Sequence, residues 1–243
     1  MTEAARPAFY ALSPGSWRDY VTLLHPPFTL WHLSYVAIGA ALAPDVHPGR
    51  LGATSAAFFL AVGIGAHALD ELNGRPLGTR IGSGTLVLLA AVSIAAAVAI
   101  GIAGAVTVNL WLFAFVAFGG FIVVVYNLEL LQGRLHTDLW FALSWGAFPL
   151  LTAYFASAER IRVEALLGAL FATLSSLAQR RLSTQVRTVR RRVEAVSGIV
   201  EYKDGRREPL TPRALMDAPE AGLRALSAAL VALAGALLVF RLV

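Results

Sequence analysis

Cysteine is absent from the 243-residue chain, and charged residues make up only 14% of it. The absence of cysteine excludes disulfides, thiolate metal sites and a cysteine nucleophile. The scarcity of charge argues against an ordinary soluble domain, in which about 25% of the residues are charged. Hydrophobic residues instead reach 57%. This composition is typical of a protein embedded in a membrane.

Seven apolar runs follow one another along the chain, most of them near the ~20 residues that a helix needs to cross a bilayer. They lie at about 28–43, 51–69, 84–105, 108–126, 139–156, 163–178 and 221–240. Glycine and alanine are abundant inside them, which favours close helix packing in lipid. The pattern predicts an all-α, polytopic transmembrane helical bundle of about seven spans, kinked at Pro149 in the fifth span.

These runs divide the chain into four segments. The segments are an interfacial N-terminal segment at 1–27, a six-span bundle at 28–178, a basic cytoplasmic segment at 179–220 and a final transmembrane helix at 221–243. In the first segment we expect no signal peptide, but an amphipathic helix that starts at Ser13-Pro14. In the third we expect two short strands around Asp204-Gly205, and we expect the stretch 217–220 to cap the last helix.

Lysine and arginine are distributed unequally over the two sides of this bundle. With the N-terminus in the cytoplasm, 16 of the 20 lysine and arginine residues lie on the cytoplasmic side. The positive-inside rule therefore predicts a cytoplasmic N-terminus, and we expect a prokaryotic inner or plasma membrane. The concentrated charge indicates contact with anionic membrane lipids or with an anionic substrate. Because the basic residues lie flush against the membrane, nucleic acid is not an expected partner.

A polar stretch separates the second and third apolar runs, and ionisable groups at a membrane boundary mark a functional site by default. His67 and Asp70 are three residues apart and share a helix face, with Glu71 beside them. Carboxylates near a helix end can hold Mg²⁺ together with substrate phosphates, so Asp70 and Glu71 are candidate metal ligands. Arg75 and Arg80 can bind phosphate oxygens. The alternative is that the two acids pair with the two arginines and only staple the loop.

A second, very basic stretch continues the sixth apolar run. Apolar residues recur in it at helical spacing from Leu182 to Val193, which predicts a basic amphipathic helix. Such helices more often rest on anionic lipid than bind a specific ligand. The first turn of this helix is the exception, because Gln179, Arg180 and Arg181 emerge from the bilayer at the depth expected for the polar stretch 67–80. We therefore expect the two stretches to enclose a common anion.

His32 and His67 form a third candidate site. They are expected at similar depth in two antiparallel neighbouring helices. Such a pair can hold a haem or a metal ion, although a hydrogen-bonded core histidine is far more common.

Four local matches resemble the UbiA superfamily of intramembrane prenyltransferases. They are the entry into the first helix at 17–28 and 37–40, the Arg-Pro pair at 75–76 after the first Asp-rich motif, a tyrosine and a small polar residue at 126–127, and the fifth helix at 138–154. The resemblance covers about residues 17–195. It implies a UbiA-like fold, a prenyl diphosphate substrate, and Asn127 as a substrate-binding residue.

The two Asp-rich motifs that hold Mg²⁺ on the diphosphate in this family are only partly present. In the first, Asp70 alone carries over, with Glu71 as a neighbour, and 175–187 contains no acid where the second motif is expected. The resemblance therefore implies at most one Mg²⁺ ion. Cationic side chains can stabilise the charge on a leaving diphosphate as metal ions do. The arginines expected to take this role are Arg75, Arg80, Arg180, Arg181 and Arg187.

What the resemblance implies is a membrane prenyltransferase that acts on an isoprenoid diphosphate or a related lipid at the cytoplasmic face. Asp70 and His67 would be its catalytic residues, with His67 as the general base. The alternative is a non-catalytic lipid-binding or assembly protein with the same fold. A haem or metal-binding membrane protein is less favoured, and so is a small transporter, since no inverted repeat is apparent. Membrane lipids and the lipid substrate are the expected partners, and the sequence leaves a homo-oligomer open.

Overall fold

The structure, a computed structural model, describes residues 6–243. In this part of the chain eight helices, a 3₁₀ turn at Leu131–Gly133 and one short hairpin form the fold. The helices are α1 (Trp17–Leu23), α2 (Pro26–Leu42), α3 (Pro48–Leu72), α4 (Ser83–Thr107), α5 (Leu112–Asn127), α6 (Asp138–Ala158), α7 (Val163–Arg192) and α8 (Pro212–Leu242), and the strands are β1 (Ile199–Glu201) and β2 (Arg207–Pro209). Two helices contain a π-helical stretch, α3 at Phe59–Ala66 and α6 at Leu143–Ala147.

The seven long helices, α2 to α8, cover the seven apolar runs, so the all-α prediction is confirmed. Four of them, α3, α4, α6 and α8, are long and apolar enough to cross a membrane, as in an integral membrane protein. α2 has only 17 residues, and the C-terminal half of α7 is rich in arginine. α5 is apolar but has only 16 residues. The number of seven spans stays a prediction.

α2 lies at the centre of the bundle, in contact with α3, α6, α7 and α8. Its Tyr35 is fully buried, and the tyrosine hydroxyl accepts a hydrogen bond from the indole nitrogen of Trp31 (2.7 Å). The same hydroxyl lies 3.0 Å from that of Ser176 in α7. Gly39 of α2 packs directly on the backbone carbonyl of Leu150 in α6. Small residues and interhelical hydrogen bonds thus hold the centre together, as expected for helices in lipid.

Pro149 in α6 has no N–H to donate to the carbonyl of Trp145, one turn earlier. That carbonyl instead accepts a hydrogen bond from Nδ1 of His32 in α2 (2.7 Å). The π-helical stretch of α6 ends just before the proline. A neighbouring helix therefore satisfies the freed carbonyl, and the contact places His32 and Trp145 side by side.

The start of α1 differs from the expected one. The helix begins at Trp17 rather than at Ser13-Pro14. The carboxylate of Asp19 accepts a hydrogen bond from the N–H of Gly15 (3.0 Å), so an acid inside the first turn satisfies the backbone that precedes the helix.

The start of α8 also differs, because 217–220 lies inside the helix and does not cap it. The cap is Thr211, whose hydroxyl accepts a hydrogen bond from the N–H of Ala214 (3.1 Å). Glu220 forms an ion pair with Arg190 of α7 instead (Oε1 to Nη2, 2.5 Å). The last helix is therefore longer than its apolar run and packs its first turns on α7.

Two other local predictions are confirmed. α7 continues the sixth apolar run as a basic helix as far as Arg192. β1 and β2 pair in antiparallel fashion, with Val200 opposite Glu208. The turn between them contains Gly205 at a φ of 85°, a conformation that glycine adopts without strain.

The two ends of the bundle are formed by different loops and chain segments. The site end carries the N-terminal segment, the α3–α4 loop at 73–82 and the basic part of α7. The far end carries the turns at 43–47, 108–111 and 159–162. All candidate site residues except the interior His32 lie at the site end.

We expect Gly146→Ala to destabilise the bundle, because the new Cβ would lie 2.6 Å from the carbonyl oxygen of Ala172 in α7. Overpacking of this kind costs about 1–3 kcal/mol. Gly235→Ala is the matched control, since a Cβ added there meets no atom within 4 Å. Thermal unfolding in detergent measures both, and equal stability of the two variants would contradict this packing.

Candidate functional site

A polar cavity of about 330 Å³ opens at the site end. The N-terminal segment and six helices contribute to its walls, so residues far apart in sequence meet around it. Four arginines line the cavity against two acids, which makes it positively charged. The arginines are Arg180, Arg187, Arg191 and Arg192, and the acids are Asp70 and Glu129.

The ends of α3 and α7 meet at the polar cavity. The candidate site residues that line it are His67, Asp70, Asn127, Arg180 and Arg187. The candidates that do not line it are Glu71, Arg75, Arg80 and Arg181. The ends of α3 and α7 therefore meet as the sequence predicts. Four of the side chains predicted to lie at the anion site, however, do not line the cavity.

Glu71 holds the α3–α4 loop in place. Its buried Oε1 accepts hydrogen bonds from the N–H (2.8 Å) and the hydroxyl (2.9 Å) of Thr79, and Oε2 accepts one from the N–H of Leu77 (2.9 Å). Both oxygens are occupied, so Glu71 does not fit as a Mg²⁺ ligand. Arg75 acts similarly, since its guanidinium donates to the carbonyl of Ile81 (2.5 Å). Glu71 and Arg75 therefore hold the loop together, as the alternative interpretation of this stretch predicted. They do so by binding loop atoms and not by pairing with each other.

Arg80 and Arg181 are exposed on the surface. The backbone N–H of Arg80 donates to Oδ2 of Asp19 (3.0 Å), so this buried acid ties α1 to the α3–α4 loop. Nε of Arg181 lies 3.7 Å from Asp138, and its side chain is 80% exposed. The positions of both arginines argue against the predicted phosphate contacts.

Arg180 lines the polar cavity but already has partners. Its Nε donates to Oδ1 of Asp138 (3.1 Å), and its guanidinium lies 5.1 Å from the ring centre of Phe141. Nη2 is 3.5 Å from Nε2 of His136. Asp138 therefore partly neutralises this arginine before any ligand binds.

Arg187 and Arg191 lie one turn apart on α7 and line the cavity without a carboxylate partner in the described part of the chain. Nε of Arg187 donates to the carbonyl of Ser183 (3.3 Å), and Nε of Arg191 donates to that of Pro7 (3.2 Å). Burial, together with the charges of Arg180 and Arg191, lowers the pKa of Arg187 to about 10. Arg187 still carries its charge at pH 7, so the cavity offers guanidinium groups to an anion.

Asp70 and His67 face these arginines from α3. The carboxylate of Asp70 makes no hydrogen bond or ion pair with any described residue. Nδ1 of His67 donates to the carbonyl of Gly63 (3.1 Å), so Nε2 keeps its lone pair. The ring of His67 stacks on that of His25, with 4.0 Å between the ring centres. The Asp70 carboxyl group and Nε2 of His67 are therefore two candidate general bases.

The N-terminal segment contributes residues that the sequence did not single out. Tyr10 lines the cavity, and its hydroxyl lies 2.9 Å from Nδ1 of His25. Burial raises the pKa of Tyr10 and lowers that of His25, so both are neutral at pH 7. Nothing in the local pattern around either residue indicates this contact, because it depends on the chain folding back over the bundle.

Three buried polar atoms on the cavity walls have no hydrogen-bond partner among the described residues. They are Nε2 of His25, the hydroxyl of Tyr126 and Oε1 of Gln179. Buried polar groups in proteins are nearly always satisfied by protein or by ordered water. These atoms therefore add hydrogen-bonding capacity for water or a ligand to the charge of the arginines.

A second cavity, of about 460 Å³, lies between α3, α4, α5 and α6. Its lining is apolar and includes several small residues, such as Gly101, Gly104 and Gly120. Val62 and Trp145 line both cavities, so the polar and apolar cavities adjoin. Together they form a charged compartment next to one that suits a hydrocarbon chain.

No family model, no curated protein and no solved structure matches this chain. The resemblance to the UbiA superfamily therefore stays a prediction from local motifs. The fold and the site define a coarser class, a mostly helical membrane protein with a basic cavity at one end of its bundle.

We expect Glu71→Ala to destabilise the α3–α4 loop, because three donors around its carboxylate would lose their acceptor. Each unsatisfied buried donor costs about 1–3 kcal/mol. Glu194→Ala, at an exposed residue just after α7, is the control and should leave stability unchanged. Thermal unfolding compares the two, and a Glu71→Ala variant as stable as the control would remove the structural role of this acid.

Proposed function

We propose that the protein is an integral membrane prenyltransferase of the UbiA type, which binds an isoprenoid diphosphate or a related phosphorylated lipid at its site end. One observation carries the proposal: Arg187 and Arg191 line a cavity that adjoins an apolar compartment, and no described carboxylate pairs with them. In this proposal seven helices span the membrane. The excess of arginine at the site end supports a cytoplasmic location for the site and for the N-terminus.

A diphosphate suits the polar cavity in charge and in hydrogen bonding. Guanidinium groups bind phosphate oxygens in bidentate fashion and stay charged at physiological pH. Arg187 and Arg191 are one turn apart, so both can contact one diphosphate. The unpartnered atoms of His25 and Tyr126 can supply further contacts to the phosphates or to bridging water. Asn127 lines the same cavity and keeps the substrate-binding role that the resemblance implies.

An isoprenoid chain suits the apolar cavity. When a phosphate lies beside Arg187, the attached hydrocarbon would have to pass Val62 and Trp145, which line both compartments, to enter the apolar cavity. Burial of the chain among apolar side chains stabilises it by about 0.8 kcal/mol for each methylene group relative to the same chain in water. The diphosphate of such a lipid thus suits the polar cavity, and its hydrocarbon chain suits the apolar cavity.

Prenyl transfer breaks the bond between C1 of the prenyl chain and the diphosphate oxygen, and the electron pair leaves with the diphosphate. Arg187 and Arg191 would stabilise the charge that develops on this leaving group. The acceptor forms a new bond to C1 and gives up a proton. Asp70 or Nε2 of His67 would take this proton as general base.

Two Mg²⁺ ions, as in the mechanism of the family, do not fit these residues. Within residues 6–243 no group of three or more His, Cys, Asp or Glu side chains is placed to hold a metal ion, and Glu71 is already occupied. Asp70 could contribute one carboxylate to a Mg²⁺ ion that a diphosphate also coordinates. The proposal therefore assigns the leaving group to the arginines, and a single Mg²⁺ stays a prediction.

A non-catalytic lipid-binding or assembly protein is the second candidate. The placement of Glu71 and Arg75 favours it, because two residues expected in the reaction instead hold the α3–α4 loop. Such a protein would need the arginines but no general base. Separate measurements of binding and turnover therefore distinguish the two candidates.

We expect Arg187→Gln to weaken the binding of farnesyl diphosphate by roughly 10- to 100-fold, because a hydrogen bond to a charged group contributes about 1.5–3 kcal/mol. The matched control is Arg181→Gln, on the same helix but 80% exposed and outside the cavity. It should change the affinity by less than about threefold. Isothermal titration of the solubilised protein measures both, and an equal response of the two variants would contradict this phosphate site.

We expect Asp70→Asn to retain diphosphate binding but to lower turnover by roughly 10²- to 10⁴-fold, as the loss of a general base does. Turnover is measured as pyrophosphate released from farnesyl diphosphate in the presence of a membrane lipid extract that supplies the acceptor. Unchanged release by the variant would exclude Asp70 as the base. Tight binding by the wild-type protein without any release would favour the non-catalytic candidate.

A further inference from the structure

We infer that Tyr10 is a positioning residue for the bound phosphate. Its hydroxyl fixes His25 in the tautomer that carries the ring proton on Nε2, and Nε2 of His25 then donates a hydrogen bond to a phosphate oxygen. This inference rests on the proposed function and adds a specific contact to the same site. Both residues line the polar cavity, and the N-terminal segment brings Tyr10 there.

The ring of His25 is held in one orientation. It stacks on the ring of His67, with 4.0 Å between the ring centres and 11° between the planes. The ring of Tyr10 lies 5.3 Å from that of His25, and the tyrosine hydroxyl is 2.9 Å from Nδ1. Tyr10 itself packs edge-on against Phe9 and Phe28. The ring of His25 therefore loses these contacts if it turns to exchange its two nitrogens.

The backbone of His25 is strained. Its φ of 45° and ψ of 57° lie in the left-handed region, which few residues other than glycine adopt. Pro26 follows, and the residue before a proline is normally extended. The N–H groups of Phe28 and Thr29 hold this conformation, since they donate to the carbonyl of His25 at 2.9 and 3.0 Å. Strain of this kind clusters at active sites and ligand clamps, which supports a role for His25 beyond packing.

The hydrogen bond between Tyr10 and His25 determines where the ring proton lies. Burial lowers the pKa of His25, so at pH 7 the neutral ring has a proton on only one nitrogen. With that proton on Nδ1, both the hydroxyl proton of Tyr10 and Nε2 would have no partner among the described residues. With the proton on Nε2, the hydroxyl donates to Nδ1 and only the Nε2–H is unpaired. Because each unpaired buried polar group costs free energy, the second tautomer is favoured.

An anion beside Arg187 and Arg191 favours the same tautomer. The charges of both arginines contribute to the low pKa of His25, after burial and the charge of His67, so the guanidinium groups lie near the ring. A phosphate held there would meet an N–H donor rather than a lone pair, and hydrogen bonds to a charged acceptor are strong. His67 has the opposite tautomer, because its Nδ1 donates to the carbonyl of Gly63. The two stacked rings therefore offer one donor for the phosphate and one group that can accept a proton.

The tautomer of His25 can be measured without a ligand. In ¹⁵N NMR of the full chain labelled at its five histidines, protonated and unprotonated ring nitrogens have well-separated chemical shifts. His25→Gln identifies the signals of His25 by their loss. We expect a protonated Nε2 in the wild-type protein and a mixture of the two tautomers in Tyr10→Phe. A wild-type ring protonated on Nδ1 would overturn the inference.

Tyr20→Phe is the matched control for Tyr10→Phe, because it removes the same hydroxyl from an exposed tyrosine of α1 outside the cavity. It should leave the signals of His25 unchanged. An equal effect of the two tyrosine variants on these signals would contradict the positioning role of Tyr10.

Binding of farnesyl diphosphate to the solubilised protein tests the donor itself. We expect His25→Leu, which has no donor, to weaken binding by roughly 10- to 100-fold. His25→Gln supplies a side-chain amide donor instead and should weaken it by less than about fivefold. Tyr10→Phe should weaken it by roughly three- to tenfold, because only part of the protein then holds the binding tautomer. Tyr20→Phe should bind as the wild-type protein does.

The outcomes separate this inference from the proposed function. Equal affinity of the wild-type protein and both His25 variants would overturn the inference and leave the proposed function intact. If the wild-type protein does not bind farnesyl diphosphate, the proposed function is wrong, and the phosphate contact of His25 is wrong with it. Thermal unfolding checks that each variant is folded, and the tautomer of the wild-type protein decides the matter if His25→Leu is not.

Discussion

The site depends on one constraint. The arginine side chains at the basic end of α7 carry positive charge that is partly removed from water. A charged group loses hydration free energy on burial and needs a partner to recover it. Arg190 has such a partner in the carboxylate of Glu220. Half-buried Arg187 and exposed Arg191 donate to backbone carbonyls instead, so their charges are available to an anion in the cavity. The same helix therefore uses one arginine to hold α8 and its neighbours to form a binding surface.

The backbone of α6 is irregular where the two cavities adjoin. Pro149 has no N–H to donate to the carbonyl of Trp145, and Nδ1 of His32 donates to it. Irregular backbone is tolerated inside a membrane where it is buried in protein or lines a cavity, and this stretch meets that condition. The hydrogen bond also holds Trp145 at the boundary between the charged and the apolar compartment. A single missing N–H thus connects the packing of α2 and α6 to the shape of the site.

The long helices and the basic extension of α7 could be predicted because apolar length and helical spacing are local properties. The different roles of the two acids, Asp70 and Glu71, could not be predicted from the sequence. Asp70 and Glu71 are neighbours in sequence, but their side chains leave the helix about 100° apart. Glu71 therefore reaches the N–H groups of the α3–α4 loop, and Asp70 reaches the cavity. Tyr10 and His25 were missed because only tertiary folding brings the N-terminal segment over the site.

The arginines at the cavity do not distinguish a lipid-binding protein from a transferase, since both would bind the negative charge of a diphosphate. Catalysis also needs interactions that strengthen in the transition state, and a departing diphosphate gains charge beside the fixed guanidinium groups. A group that can accept a proton from the acceptor is needed only for transfer. Asp70 and His67 occupy the end of an apolar helix, where an unpaired ionisable side chain is costly to keep. Neither contributes an ion pair to the described fold, so their placement opposite Arg187 favours the transferase over the binding protein.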